Sequence, residues 1–292
     1  MNAKLKNDLK EGRFVKAGGK NIFVMEFGKG FPVIMLHGGG PGASGMSNYS
    51  KNIEALSEKF RVIVPDMPGY GQSTKGMKTE DPFGGLAEGI LALMDAMDIP
   101  KAHLVGNSLG GACALRMALD APSRVESLIL MGPGGVNTTR GLPTKGLKSL
   151  LGYYRGDGPS FKKLSEFIRT YLVYDDAMVS NQMIQDRYDA SLDPEIITQG
   201  GQLKPPTSLG CALKMDFTRD RRLKKCLVPT LVLWGTEDLV NRPSGGQTLQ
   251  KTMQNCDLYL FCNTGHWVQW ERADEFNATA TSFFTTHTPV FQ

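Results

Sequence analysis

The stretch KAHLVGNSLGGACALRMALD, beginning at Lys101, constrains this chain more than any other. A short apolar run, His103 to Val105, stops at Gly106-Asn107. Ser108 follows, then Leu109, two glycines and a stretch patterned as a helix. Gly106-Asn107-Ser108-Leu109-Gly110 fits G-x-S-x-G, and a strand before it and a helix after it make that motif a nucleophile elbow. So sharp a bend crowds the backbone around the serine, and glycine at 106 and 110 removes the side chains that would clash. The hydroxyl then stands at the carboxyl end of a strand, above the start of a helix. There the Leu109 amide and the helix dipole face a developing negative charge. A glycine-rich turn that only packs a helix on a strand has the same five letters; the flanking elements favour the elbow.

Apolar runs and amphipathic stretches alternate on both sides of the motif. FVKAGGKNIFVMEFG reads as a hairpin turning near Gly18-Gly19. Pro32 to Gly38, Arg61 to Asp66, AHLVGN and the run from Ser127 read as buried strands. Tyr49 to Lys59, Pro82 to Met97 and Leu109 to Asp120 read as helices. The alternation predicts an α/β fold with a mostly parallel sheet covered by helices on both faces. It stops after Gly135. In SFKKLSEFIRTYLVY, Phe161, Leu164, Phe167, Ile168, Tyr171 and Leu172 recur at three- and four-residue steps, which predicts an amphipathic helix. The sheet pattern returns with Pro229 to Gly235, a helix near Ser244 to Thr252, a strand at Asp257 to Phe261, and a last helix from Glu271 to about Phe284. The expected organisation is a core domain of residues 1–135 and 227–292 with a helical lid domain, 136–226, inserted in the second half.

Length and composition narrow the function classes. With 292 residues and 41% hydrophobic side chains, the chain can build a core that needs no staples. A net charge of +4 is too weak to argue for nucleic acid, and the one basic run, Arg219 to Lys225, reads as a solvated face. Cys113, Cys211, Cys226, Cys256 and Cys262 are odd in number and contain no CxxC, so neither disulfides nor zinc are expected. The polar start has no apolar signal core, and no run approaches a membrane span. The expectation is a cytoplasmic protein without cofactor, metal, nucleic-acid or membrane partner.

A serine hydroxyl is a poor nucleophile until a base takes its proton. Four histidines are available. His103 lies inside the strand leading to the elbow and reads as a buried sheet residue. His287 lies in the polar tail. His37 opens HGGGPG and reads as a structural turn residue. His266 remains, in NTGHWVQW after the last strand, where a loop can reach back over the sheet; a surface loop histidine is the bland alternative. A carboxylate must hold the imidazole in its useful tautomer. Asp238, three residues past LVLWG, is the candidate, Glu237 the weaker one, and the order Ser108, Asp238, His266 suits this strand–helix arrangement. In HGGGPGASG the backbone amides of Gly39 or Gly40 can approach a substrate oxygen and complete an oxyanion hole with Leu109. No lysine of the G-K-[ST] type follows, which disfavours a nucleotide loop. Asp66 in PDMPGYGQS reads as a turn residue.

With these residues in place, the chain resembles the α/β-hydrolase superfamily. More narrowly, it resembles the meta-cleavage-product hydrolases of bacterial aromatic and steroid degradation. HGGGPGASGMSNY, GNSLGGACALRMALDAPSRVESLILMGPGG, WGTEDLVN and GHWVQWERADEFN each resemble blocks of that group, and the likeness covers nearly the whole chain. It implies the α/β-hydrolase fold and hydrolysis of the C5–C6 carbon–carbon bond of a 2-hydroxy-6-oxohexa-2,4-dienoate. The products would be 2-hydroxypenta-2,4-dienoate and a carboxylic acid. It further implies that Arg187 binds the 2-oxo-carboxylate, that Asn48 lies near the substrate oxygens, that Asn107 helps bind the dienoate end and that Trp267 packs on it. A homo-oligomer, dimer or higher, is a further implication. A carboxylesterase or proline iminopeptidase-like hydrolase would use the same triad. A non-catalytic ligand-binding protein of this fold would tend to lose a triad member, and here all three are present. Selectivity for the C6 group is expected from the insertion and from Leu239, Val240 and Asn241.

Overall fold

The computed structural model describes residues 12–138 and 142–289. The polar start, the outer ends of the core domain at residues 1 and 292, and residues 139–141 of the insertion lie outside the described residues.

Among the described residues eight strands form one sheet: β1 (Arg13–Ala17), β2 (Lys20–Phe27), β3 (Pro32–Leu36), β4 (Arg61–Pro65), β5 (Ala102–Asn107), β6 (Val125–Met131), β7 (Thr230–Gly235) and β8 (Cys256–Phe261). Their order is β1-β2-β4-β3-β5-β6-β7-β8. β1 and β2 form the expected hairpin, with Ala17 opposite Lys20, and β2 runs antiparallel to β4. Every other pairing is parallel. The central strands are apolar on both faces because both are covered. In β3, Ile34 and Leu36 join the core under the helices Pro82–Ala96 and Leu109–Asp120. Val33 and Met35 join the opposite core, under Ile53–Ser57 and Ala273–His287. This is the burial of a crossover-built sheet, and it leaves the carboxyl ends of β5, β6 and β7 side by side.

Three elements depart from the sequence pattern. The helix expected over Tyr49 to Lys59 is two short ones, Gly45–Tyr49 and Ile53–Ser57. Between them Asn52 is buried, and its amide donates to the Gln269 carbonyl and to Asn277 Oδ1, 2.9 Å each. The last helix is also two, Val268–Glu271 and Ala273–His287, so His287 closes a helix rather than lying in a polar tail. The Phe161–Leu172 stretch is α-helical only to Glu166 and continues as a π-helix, Phe167–Leu172.

Between β6 and β7 the described residues form helices and turns, with no strand. Leu150, Leu164, Phe167, Ile168, Leu172 and Ile184 build an apolar cluster of their own there, to which Val240 and Trp267 are added from loops of the sheet. Farther along, Met215, Phe217 and Leu223 pack into the main core instead, and Phe217 stacks on Phe83. In the basic run, Arg222 pairs with Asp220 and Asp120, each at 2.6 Å.

Candidate active site

Ser108 has φ +54° and ψ −111°, a backbone conformation that costs on the order of 1–3 kcal/mol for a residue with a side chain. Its surroundings hold it there. The Ser108 N–H donates to the Met131 carbonyl at 2.8 Å, and its own carbonyl accepts from Ala112 and Gly134. A Cβ at Gly106 would lie 2.4 Å from the Gly110 carbonyl oxygen, and one at Gly110 would lie 2.0 Å from that of Leu36. Both glycines are therefore required by close backbone approach, as the motif predicts. The helix Leu109–Asp120 starts directly after the serine.

His266 Nδ1 lies 2.7 Å from Asp238 Oδ2, and both residues are buried. Asp238 also accepts from the Trp234 indole N–H at 2.9 Å and from the Val240 and Asn241 backbone N–H groups at 2.8 Å each. Such a carboxylate is fixed in place and stays an acceptor. It puts the imidazole hydrogen on Nδ1, so that Nε2 carries the lone pair. Nε2 is buried and has no hydrogen-bond partner among the described residues. Glu237 points elsewhere and accepts from the Thr264 N–H at 3.0 Å. The backbone of His266 is tied down too: its N–H donates to the Leu172 carbonyl at 2.8 Å.

A narrow pocket lies over the elbow. Gly38, Gly39, Gly40, Asn48, Asn107, Ser108, Arg187, His266 and Trp267 line it, with Leu150, Phe167, Leu172 and Val240. A second cavity, of about 100 Å3, also reaches Ser108. Its wall is mostly apolar: Phe83, Leu109, Leu147, Leu150, Leu151, Leu203, Met215 and Val240, with Lys204 as its charged member.

Arg187 is 3% exposed. Its Nε and Nη2 both donate to the Pro41 carbonyl, at 3.2 and 2.9 Å, while Nη1 is buried without a partner among the described residues. Two of the guanidinium's nitrogens are thus used by the protein itself. Its guanidinium sits 5.1 Å from the Trp267 ring. Burial pushes its pKa down to about 10, against the pull of Tyr154 and Tyr153, so it remains a cation at neutral pH. Gly39 abuts the first residue of the elbow helix: a Cβ there would lie 2.8 Å from Leu109 Cδ2.

The protein-family comparison matches residues 32–273 to the alpha/beta hydrolase fold family. A 2-hydroxy-6-oxo-6-phenylhexa-2,4-dienoate hydrolase from Comamonas testosteroni is 38% identical over 269 residues, 90% of each chain. A 2-hydroxy-6-oxononadienedioate/2-hydroxy-6-oxononatrienedioate hydrolase, also from Comamonas testosteroni, is 36% identical over 90% of each. The chain belongs to the meta-cleavage-product hydrolases of the α/β-hydrolase superfamily. Among solved structures, a meta-cleavage product hydrolase from Pseudomonas fluorescens superposes with a TM-score of 0.84 at 32% identity, covering 96% of this chain and 100% of that one.

Within this meta-cleavage-product hydrolase, the two asparagines differ. Asn48 is already engaged: its Oδ1 accepts from the Gly38 N–H at 3.2 Å and its Nδ2 donates to the Ser44 carbonyl at 3.3 Å. Asn107 donates to the His266 carbonyl at 3.1 Å, and its Oδ1 is buried without a partner among the described residues. Leu239 is 51% exposed and lines neither cavity, unlike Val240, which lines both. His37 has the structural role expected: its Nε2 accepts from the Met67 N–H at 2.9 Å and its Nδ1 donates to the Gly38 carbonyl at 2.8 Å. Burial holds it below the ordinary histidine pKa, against the pull of Asp66. Asp66 itself accepts from the Gly45 and Gln72 N–H groups.

Sequence reasoning missed Gly132, Trp234 and Glu271. Gly132 has φ +47°, and a Cβ there would lie 3.0 Å from Asp238 Oδ2 and from His266 Nδ1. Only the glycines of GPGG pointed to that strand end.

Proposed function

We propose that this enzyme hydrolyses the C5–C6 bond of 2-hydroxy-6-oxohexa-2,4-dienoates whose C6 substituent is apolar, with Ser108, Asp238 and His266 as its catalytic triad. One observation carries the reading. A single cavity gathers an elbow serine, a carboxylate-anchored imidazole with a free Nε2, and a buried guanidinium whose Nη1 is unpaired among the described residues. A buried cation is costly unless an anion meets it, and the dienoate carboxylate is that anion. Trp267 packs beside it and Asn107 Oδ1 completes the polar end; Asn48 acts by holding Gly38.

His266 first carries a proton to carbon-5, turning the dienol into a ketone whose C5–C6 bond can break. Ser108 then gives its proton to His266 Nε2 and attacks the C6 carbonyl. The Leu109 amide and those of Gly39 or Gly40 stabilise the oxyanion, a contribution of order 3 kcal/mol per donor. Breaking the C–C bond releases a dienolate, which takes the proton from His266 and leaves as the hydroxypentadienoate; the neutral imidazole then deprotonates water, which frees the second acid and regenerates Ser108. The residues between β6 and β7 serve as the lid, and the apolar cavity takes the C6 group. That wall favours alkyl or aryl groups over a carboxylate-bearing chain.

Loss of dienolate colour tests this. A 6-phenyl substrate is expected to be turned over with kcat/KM at least tenfold above a 6-carboxyethyl one. Ser108→Ala is expected to lose at least about 1000-fold in kcat and still bind the dienolate. Efficient cleavage of p-nitrophenyl esters with no bleaching would instead favour a carboxylesterase.

A further inference from the structure

Glu271 is buried in the short helix that follows His266, at 6% exposure. Its two oxygens point in different directions. Oε1 accepts from the Gly265 N–H at 2.9 Å, inside the loop that carries His266. Oε2 accepts from the Tyr174 N–H at 2.7 Å and, more weakly, from Asp175 at 3.4 Å, both just beyond the π-helix of the insertion. A third link runs alongside, from the His266 N–H to the Leu172 carbonyl. The packing leaves little slack, since a Cβ at Gly265 would lie 2.8 Å from the Leu172 carbonyl oxygen and 2.9 Å from the Tyr174 nitrogen. Phe167 and Leu172 of the same π-helix line the cavity over Ser108.

A buried carboxylate whose partners are backbone N–H groups costs desolvation that a neutral side chain would avoid. It has one geometric advantage. Two acceptor oxygens on one rigid group can fasten two separate backbone segments at a fixed spacing. Here the segments are the loop of the base and the insertion that roofs the cavity.

We infer that Glu271 is a positioning residue: its carboxylate clamps the insertion at Tyr174 to the His266 loop at Gly265, so that the seating of the roof sets the position of the imidazole. The reaction assignment rests on the reading given under Proposed function; the clamp rests on the hydrogen bonds alone. Roof and base then loosen together, and a substrate that seats the roof also seats the imidazole over Ser108.

Glu271→Gln keeps the size but offers an N–H toward one of the two segments, so one side of the clamp opens. For turnover of a 6-phenyl dienolate, kcat is expected to fall at least tenfold while KM changes less than threefold. The acid limb of kcat/KM is expected to move by half a pH unit or more, because the imidazole shifts against Asp238. Glu271→Asp, too short to span both segments, is expected to behave alike, and it stands in if the glutamine variant does not fold. Amide hydrogen exchange is expected to speed up at least tenfold in either variant at whichever of Gly265 and Tyr174 loses its acceptor. Unchanged kcat and acid limb in a variant whose only defect is a lower melting temperature overturns the positioning role. Unchanged exchange at both amides overturns the clamp. If wild-type protein bleaches no dienolate, the reaction assignment falls, and the exchange result still decides the clamp.

Discussion

At the scale of single residues, the site depends on absences as much as on groups. Gly132 contributes no chemistry, yet its missing side chain is what lets Asp238 and His266 lie against β6. Gly132→Ala is expected to lower kcat by at least tenfold with little change in circular dichroism, since displacing a catalytic group by about 1 Å can cost on the order of 100-fold. A kcat within twofold of wild type would show that the pair has room to give. The candidate residue types were legible in the sequence because the proposed chemistry restricts them: a serine between glycines, a carboxylate after a strand, a histidine after the last strand. Their supports were not. Nothing in LVLWG says that the Trp234 indole donates to the carboxylate four residues on. Nor does Arg187, as a letter, reveal that Pro41 takes two of its N–H groups.

At the scale of elements, the strands and the long helices followed from apolar periodicity, since burial on two faces or one leaves a readable pattern. The π-helix Phe167–Leu172 did not. Its apolar spacing fits an ordinary helix equally well, and only the backbone registers the wider turn. That wider turn carries the Leu172 carbonyl to the His266 N–H. π-turns persist where such a displacement is useful, because they are less stable than α-helix. Deleting Thr170, which is exposed, restores the tighter register. The expected outcome is a melting temperature equal to or above wild type with kcat reduced at least tenfold. A fully active deletion variant would detach the π-turn from catalysis.

At the scale of the whole molecule, His103 stitches the sheet to the chain's last described residues. Its ring nitrogens lie 2.8 Å from Ser127 Oγ and 2.9 Å from Thr288 Oγ1, and it stacks on Phe284. Burial, helped by His287 and Lys101, lowers its pKa to about 3 from an ordinary 6.5. The unfolded chain therefore takes up a proton first as pH falls, and stability is lost between pH 6.5 and 3, by on the order of a few kcal/mol. His103→Gln, which cannot be protonated, is expected to flatten the fall of the urea midpoint across that window; an unchanged slope would assign the acid sensitivity to other groups. The same economy of scale shows where the two cavities meet. Val240 and Asn241 hold Asp238 by their main-chain N–H groups; the Asn241 side-chain amide is itself tied to the Gly132 carbonyl at 2.7 Å, while Val240 lines the space proposed for the substituent. The letter at 240 can thus be respelled for a new foodstuff while the charge behind the imidazole stays where it is, leaving diet open to revision and the cutting edge untouched.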